Sequence, residues 1–100
     1  MKKHPLEEYV ERADELACEV VHAWVVNVKA GNSEYLTPEF KSVFDKAFEY
    51  RQAKKLADNH RQFGILSEEE AAMERTLREV FAAAYRRWTE QQLRGLLEAI

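Results

Sequence analysis

Apolar residues recur at intervals of three and four along the first third of the chain, which predicts an amphipathic helix. The recurring positions are Leu6, Tyr9, Val10, Ala13, Leu16, Ala17, Val20, Val21, Trp24, Val25 and Val28. Pro5 suits the first turn of a helix, and Gly31 can adopt the left-handed conformation that ends one. The predicted bounds are therefore about 5–30.

The stretch from Leu16 to Val28 is apolar on almost every side of this helix, with only Glu19, His22 and Asn27 as interruptions. Its valines are also typical of a strand, but the unbroken phase with the preceding residues favours a helix. A helix that is apolar all round must be covered all round. Because a chain of 100 residues has few ways to surround one helix, this stretch indicates contact with a second chain.

A second helix is predicted over about 38–63. Thr37 can cap its start, Pro38 fits its first turn, and Gly64 follows its end. Its apolar stripe consists of Phe40, Val43, Phe44, Ala47 and Phe48. We expect these side chains in the core.

A third helix is predicted over about 68–98. Ser67 and Glu70 form the pattern of a capping box, in which each residue bonds the backbone of the other. The inward stripe comprises Met73, Leu77, Val80, Phe81, Ala84, Tyr85 and Trp88. Later apolar residues point away from this stripe, so either the helix breaks near Gly95 or its end offers a second apolar face.

These elements predict an all-α fold: a single domain over residues 1–100, built as a three-helix antiparallel bundle. Hydrophobic residues make up 46% and charged residues 33% of the chain, which is a globular mixture. Three Gly and two Pro are too few for the many turns of a sandwich or barrel. A homodimer across the first and third helices is the natural extension of this bundle.

The overall charge and the cysteine content indicate what kind of partner and which cellular compartment to expect. A net charge of −3 argues against a protein that mainly wraps nucleic acid. The single Cys18 cannot form an internal disulfide, which fits a reducing compartment. Lys2 and Lys3 are followed by Pro5 and a polar stretch, unlike a signal peptide. We therefore expect a cytoplasmic protein without a membrane segment.

Glu7, Glu8 and Glu11 form an EExxE pattern that resembles the first half of the magnesium motif in all-α nucleotide pyrophosphohydrolases of the MazG type. In that family an ExxD pair on a later helix completes the metal site. Neither Asp45 nor Asp58 has a glutamate three positions earlier. The second half of the motif is thus missing, and a metal-dependent enzyme of the nucleotide pyrophosphohydrolase type is only the second alternative for the function.

Glu19 and His22 form an ExxH pair, which places a carboxylate and an imidazole on one face of a helix. Diiron bundles need two such pairs, and this chain has one, so only a symmetric dimer would supply the second. Cys18 and His22 provide half of a zinc site. With no complete ligand set, we predict no metal, no cofactor and no catalytic residue.

Four cations form a basic patch near the end of the second helix: Arg51, Lys54, Lys55 and Arg61. Such a patch can contact phosphates or an acidic protein surface, or it can be an ordinary solvated helix face. A regulator that binds nucleic acid through this patch is the first alternative for the function. The glutamates that open the third helix would repel a DNA backbone, so nucleic acid is not the expected partner.

The candidate protein interface consists of apolar residues out of phase with their own helix, and of two neighbouring alanines. These residues are Val26, Ala82, Ala83, Leu93, Leu97 and Ile100. Surplus apolar surface, without a complete catalytic set, predicts a small non-enzymatic protein–protein interaction module. It would act as a regulator, adaptor or stoichiometric inhibitor of another protein, and it could also bind a second copy of itself.

Overall fold

The computed structural model describes residues 5–32 and 37–99, and all regular secondary structure in these ranges is α-helical. The helices are α1 (Pro5–Glu11), α2 (Ala13–Ala30), α3 (Pro38–Gln62) and α4 (Glu68–Ala99). The all-α prediction is therefore confirmed. None of these four helices has an apolar stretch long enough to cross a lipid bilayer.

The expected count of three helices is corrected to four, because the first predicted helix is divided at Arg12. This residue has φ −96° and ψ 11°, outside the α-helical region. Packing explains the bend: α1 lies mainly against α4, whereas α2 lies mainly against α3. Neither glycine nor proline stands at this position, so the bend has no signal in the sequence.

Capping contacts explain where the helices begin and end. The Phe40 amide donates to Thr37 Oγ1 at 3.2 Å. The Glu70 amide donates to Ser67 Oγ at 3.1 Å, as the capping box predicts. Gly31 and Gly64 each have φ 70°, the left-handed conformation that closes a helix at little cost only for glycine. No break occurs near Gly95, so α4 continues to Ala99.

Aromatic side chains hold the helices together. Trp24 stacks on Phe40, with ring centroids 6.0 Å apart, and joins α2 to α3. Between α3 and α4, Phe40 contacts Trp88 at 5.1 Å and Tyr50 stacks on Phe81 at 6.4 Å. The contacts occur in opposite order along the two helices, so α3 and α4 run in opposite directions. Each buried aromatic side chain contributes about 1.5–3 kcal/mol.

The molecule is flat. Its extents are 53 × 41 × 17 Å, so its shortest dimension is less than half of either of the other two. Its radius of gyration of 15.4 Å exceeds the ~13 Å typical of a compact domain of this length.

A flat layer of helices covers its side chains poorly, and many large apolar residues remain exposed. They are Val25, Val26, Val28, Phe48, Leu56, Phe63, Ile65, Met73, Val80, Leu93, Leu96 and Leu97. Single exposed apolar residues are ordinary, but a contiguous group of them marks a binding surface.

Candidate binding groove between the second and third helices

Three residues of the predicted interface are exposed in the structure: Val26, Leu93 and Leu97. Val26 lies on α2, whereas the two leucines lie on the last turns of α4, where every side chain from residue 91 to residue 98 is exposed. Leu97 is 71% exposed. The structure brings the two leucines together on one helix and places Val26 on another.

The other three predicted interface residues are not seen to be exposed to solvent in the structure. Ala82 is completely buried by its own chain, and Ala83 is half-buried. The assignment of Ala82 to a free face is corrected, because α4 packs against both α3 and α1, which covers more than one stripe of the helix. The assignment of Ala83 stays a prediction. Ile100 lies outside the described residues.

The predicted basic patch is divided in the structure. Lys54 Nζ lies 2.8 Å from Asp58 Oδ2 and therefore pairs within its own helix. Arg61 also binds Asp58, and it reaches Glu74 on α4 at 3.3 Å. These two cations are occupied by carboxylates of the same chain.

Arg51 and Lys55 are the remaining members of the patch. Both are exposed, and neither forms a hydrogen bond or an ion pair with any residue of 5–32 or 37–99. They lie four positions apart on α3 and therefore share one side of that helix. Their positive charges are directed to solvent.

Arg51 and Lys55 border an open groove of about 630 Å³ between α2 and α3. The groove is lined by Asp14, Cys18 and Val21 from α2 and by Phe48, Arg51, Gln52, Lys54, Lys55 and Asp58 from α3. Helical spacing explains this set, since each helix contributes residues three or four positions apart from one face. The groove is large enough to accept side chains of a partner.

Apolar residues form the floor of this groove and continue beyond it. Phe48 is 46% exposed, although it belongs to the aromatic stripe of α3. Val25 and Val28 follow Val21 on the same side of α2, one and two turns later, and both are exposed. We call Val21, Val25, Val28 and Phe48 the apolar floor. The sequence predicts that Phe48 lies in the core, because it belongs to the apolar stripe of α3. The position of a residue in a stripe does not show whether a neighbouring helix covers that residue.

A polar cluster ties the groove to the rest of the molecule. The Tyr50 hydroxyl donates to Asp14 Oδ1, and Arg78 Nε donates to the Tyr50 oxygen at 2.9 Å. Three helices meet at this point, since these residues belong to α2, α3 and α4. Burial, followed by the hydrogen bond to the Asp14 carboxylate, raises the pKa of the Tyr50 phenol above its ordinary value. Tyr50 is therefore a neutral hydrogen-bond donor at physiological pH.

Ion pairs also fix the charges at the end of the groove. The hydrogen bond between Lys54 and Asp58 is the largest cause of a raised pKa for Lys54 and of a lowered pKa for Asp58. Lys54 also lies 4.0 Å from Asp14 Oδ2. Both carboxylates that line the groove are thus bonded within the chain, and the cations that remain without a partner are Arg51 and Lys55.

Within one chain, residues 5–32 and 37–99 do not bring the candidate metal ligands together into a complete site. Glu19 and His22 are both exposed on α2, and Cys18 is a free thiol at the groove. Glu7 and Glu11 lie on α1 beside Glu79 of α4. Within the described parts of the chain, no three histidine, cysteine or acidic side chains lie close enough to hold a metal ion.

Comparisons of the chain with protein-family models, with curated proteins and with solved structures found no match.

Proposed function

We propose that this protein is a small, non-enzymatic interaction module that binds another protein through the groove between α2 and α3. The observation that supports this most is the apolar floor, in which Val25, Val28 and Phe48 stay exposed to solvent beside the half-buried Val21. Apolar groups that are exposed together gain about 25 cal/mol for each Å² removed from water when a partner covers them. An exposed aromatic residue such as Phe48 is also a typical anchor of protein interfaces.

In this proposal α2, α3 and α4 form an antiparallel three-helix layer, and α1 is its bent extension. The layer acts as a regulator, adaptor or stoichiometric inhibitor, since we propose that its groove binds a partner protein and catalyses no reaction. Self-association through the exposed end of α4 belongs to the same proposal, because Leu93, Leu96 and Leu97 lie on one side of that helix. A free and exposed cysteine fits a protein that works in the reducing cytoplasm.

The proposal is tested by capturing partners from a cell extract with immobilised protein. The groove variant carries Val25→Asp and Phe48→Asp, and the control carries Met73→Asp, which changes an equally exposed residue of α4. We expect saturable capture by the wild type and the control, and loss of capture by the groove variant, with unchanged helical circular dichroism. Equal capture by all three proteins, or no saturable capture by the wild type, would contradict the proposal.

A further inference from the structure

We infer that the groove binds an amphipathic helix of another protein, and that this helix carries acidic side chains that meet Arg51 and Lys55. The inference rests on the proposed function and adds the chemical class of the partner. It has two independent supports, which are the shape of the apolar floor and the distribution of charge around the groove.

The apolar floor has the geometry that accepts a helix. Val21, Val25 and Val28 follow one side of α2, and Phe48 of α3 lines the groove together with Val21. The fifteen residues from Asp14 to Val28 are joined by fourteen helical steps, which correspond to about 21 Å of helix. A partner helix of roughly four turns can lay one apolar face along this length, as helices do in other apolar grooves.

The charge around the groove favours an acidic partner. Lys54 and Arg78 lie 4.0 and 3.9 Å from the Asp14 carboxylate, so cations of the same chain compensate its charge. Asp58 is compensated in the same way, by Lys54 and Arg61. Arg51 and Lys55 have no such partner among the described residues. They lie one helical turn apart, and carboxylates one turn apart on a bound helix can reach both. Charge-assisted hydrogen bonds of this kind are stronger than those between neutral groups.

The same features argue against two other occupants. Two uncompensated cations beside an apolar floor suit one face of an amphipathic helix better than a phosphate backbone, which needs many cations and no apolar contact. The acidic α1 of a second copy, with Glu7 and Glu11, already packs against its own α4. A separate protein is therefore the occupant that the structure favours.

The test uses two synthetic helical peptides of roughly four turns with the same leucine stripe. One has glutamates on its polar face, and the other has lysines at the same positions. Binding is measured by fluorescence anisotropy against the wild type and against a variant with Arg51→Glu and Lys55→Glu. A control variant carries Arg75→Glu and Arg87→Glu, which makes the same change of net charge at two exposed positions of α4.

We expect the wild type to bind the glutamate peptide at least about tenfold more tightly than the lysine peptide. The Arg51→Glu, Lys55→Glu variant should reverse this preference, and the control should keep it. Equal affinity of the two peptides, absence of binding by the glutamate peptide, or an unchanged preference in the double variant would overturn the inference. A random-sequence DNA duplex that bound more tightly than the glutamate peptide would do the same.

Failure of this inference can be told apart from failure of the proposed function. If the Arg51→Glu, Lys55→Glu variant still captures the same partner from extract, and the Val25→Asp, Phe48→Asp variant does not, the groove binds a protein without acidic recognition. A wild-type dimer that becomes monomeric with Val25→Asp and Phe48→Asp would show that a second copy fills the groove, which also overturns the inference.

Discussion

Tyr50 donates its phenolic hydrogen to Asp14, which lies 36 residues earlier in the chain. The tyrosine ring is buried against Phe81, while the carboxylate lies at the edge of the groove. This bond therefore connects the interior of the helical layer to the surface that we propose for partner binding. Arg78 completes the link to α4 through its own hydrogen bond to the same phenol.

Replacing this phenol tests its contribution to stability. The change Tyr50→Phe should lower the free energy of unfolding by about 1–2 kcal/mol, because it removes two hydrogen bonds and leaves the ring in place. The control is Tyr85→Phe, since that half-buried tyrosine forms no hydrogen bond with the part of the chain that the structure describes. Urea denaturation measures both variants, and an equal loss in the two would contradict the role given to Tyr50.

Alkaline pH should weaken the fold through the same residue. Burial and the Asp14 bond raise the pKa of Tyr50 in the folded state above its ordinary value of 10.0. Above that pH the unfolded chain loses the phenolic proton first, so the folded state binds more protons and the free energy of unfolding falls as pH rises. Below pH ~10 the contribution is fully present.

The measurement is urea denaturation at several pH values between about 8 and 11. Tyr50→Phe should show a smaller fall over this range than the wild type, because the variant lacks the titrating group. Burial also raises the pKa of Tyr85, so part of the fall should persist in the variant. A wild type and variant with the same slope would contradict the assignment.

The buried position of Ala82 leads to a prediction about overpacking. Ala82→Leu should destabilise the protein by about 1–3 kcal/mol, because no space surrounds a side chain that its own chain covers completely. Ala83→Leu should cost less, since Ala83 is only half-buried. Thermal or urea denaturation compares them. If Ala82→Leu were neutral for stability, Ala82 would belong to an open surface after all.

The end of α4 should contribute little to folding. Truncation after Gln92 removes residues whose described side chains are all exposed, so the free energy of unfolding should change by no more than about 0.5 kcal/mol. Trp88→Ala, one turn before the cut, should instead cost about 3 kcal/mol, because Trp88 packs on Phe40. A truncated protein that lost several kcal/mol would show that the exposed leucines stabilise the chain, as in a dimer.

The bounds of the predicted helices agree with the structure to within one residue, apart from the bend at Arg12. This accuracy has a local cause, since Thr37, Ser67, Gly31 and Gly64 act on backbone groups only a few residues away. Such signals can be read from the sequence without knowledge of the fold.

The candidate groove could not be predicted in the same way. Its composition depends on which side of each helix a neighbour covers, and this is decided by packing over long sequence distances. Phe48 looks like a core residue in the stripe of α3, yet it borders the groove. The basic patch looks uniform, yet Arg61 is bound by Glu74 of another helix. Only the structure shows that Arg51 and Lys55 have no hydrogen-bond or ion-pair partner among the described residues.

The central claim, that a protein segment fills the groove, can be measured at Cys18. This residue lines the groove and is the single cysteine of the chain, so alkylation by iodoacetamide reports on the groove alone. The rate is measured without and with a saturating amount of the glutamate peptide. The control is a Cys18→Ser protein with Arg75→Cys on α4. The account predicts that the peptide slows alkylation of Cys18 and leaves the control unchanged, whereas an unchanged rate at Cys18 with the peptide bound would contradict it.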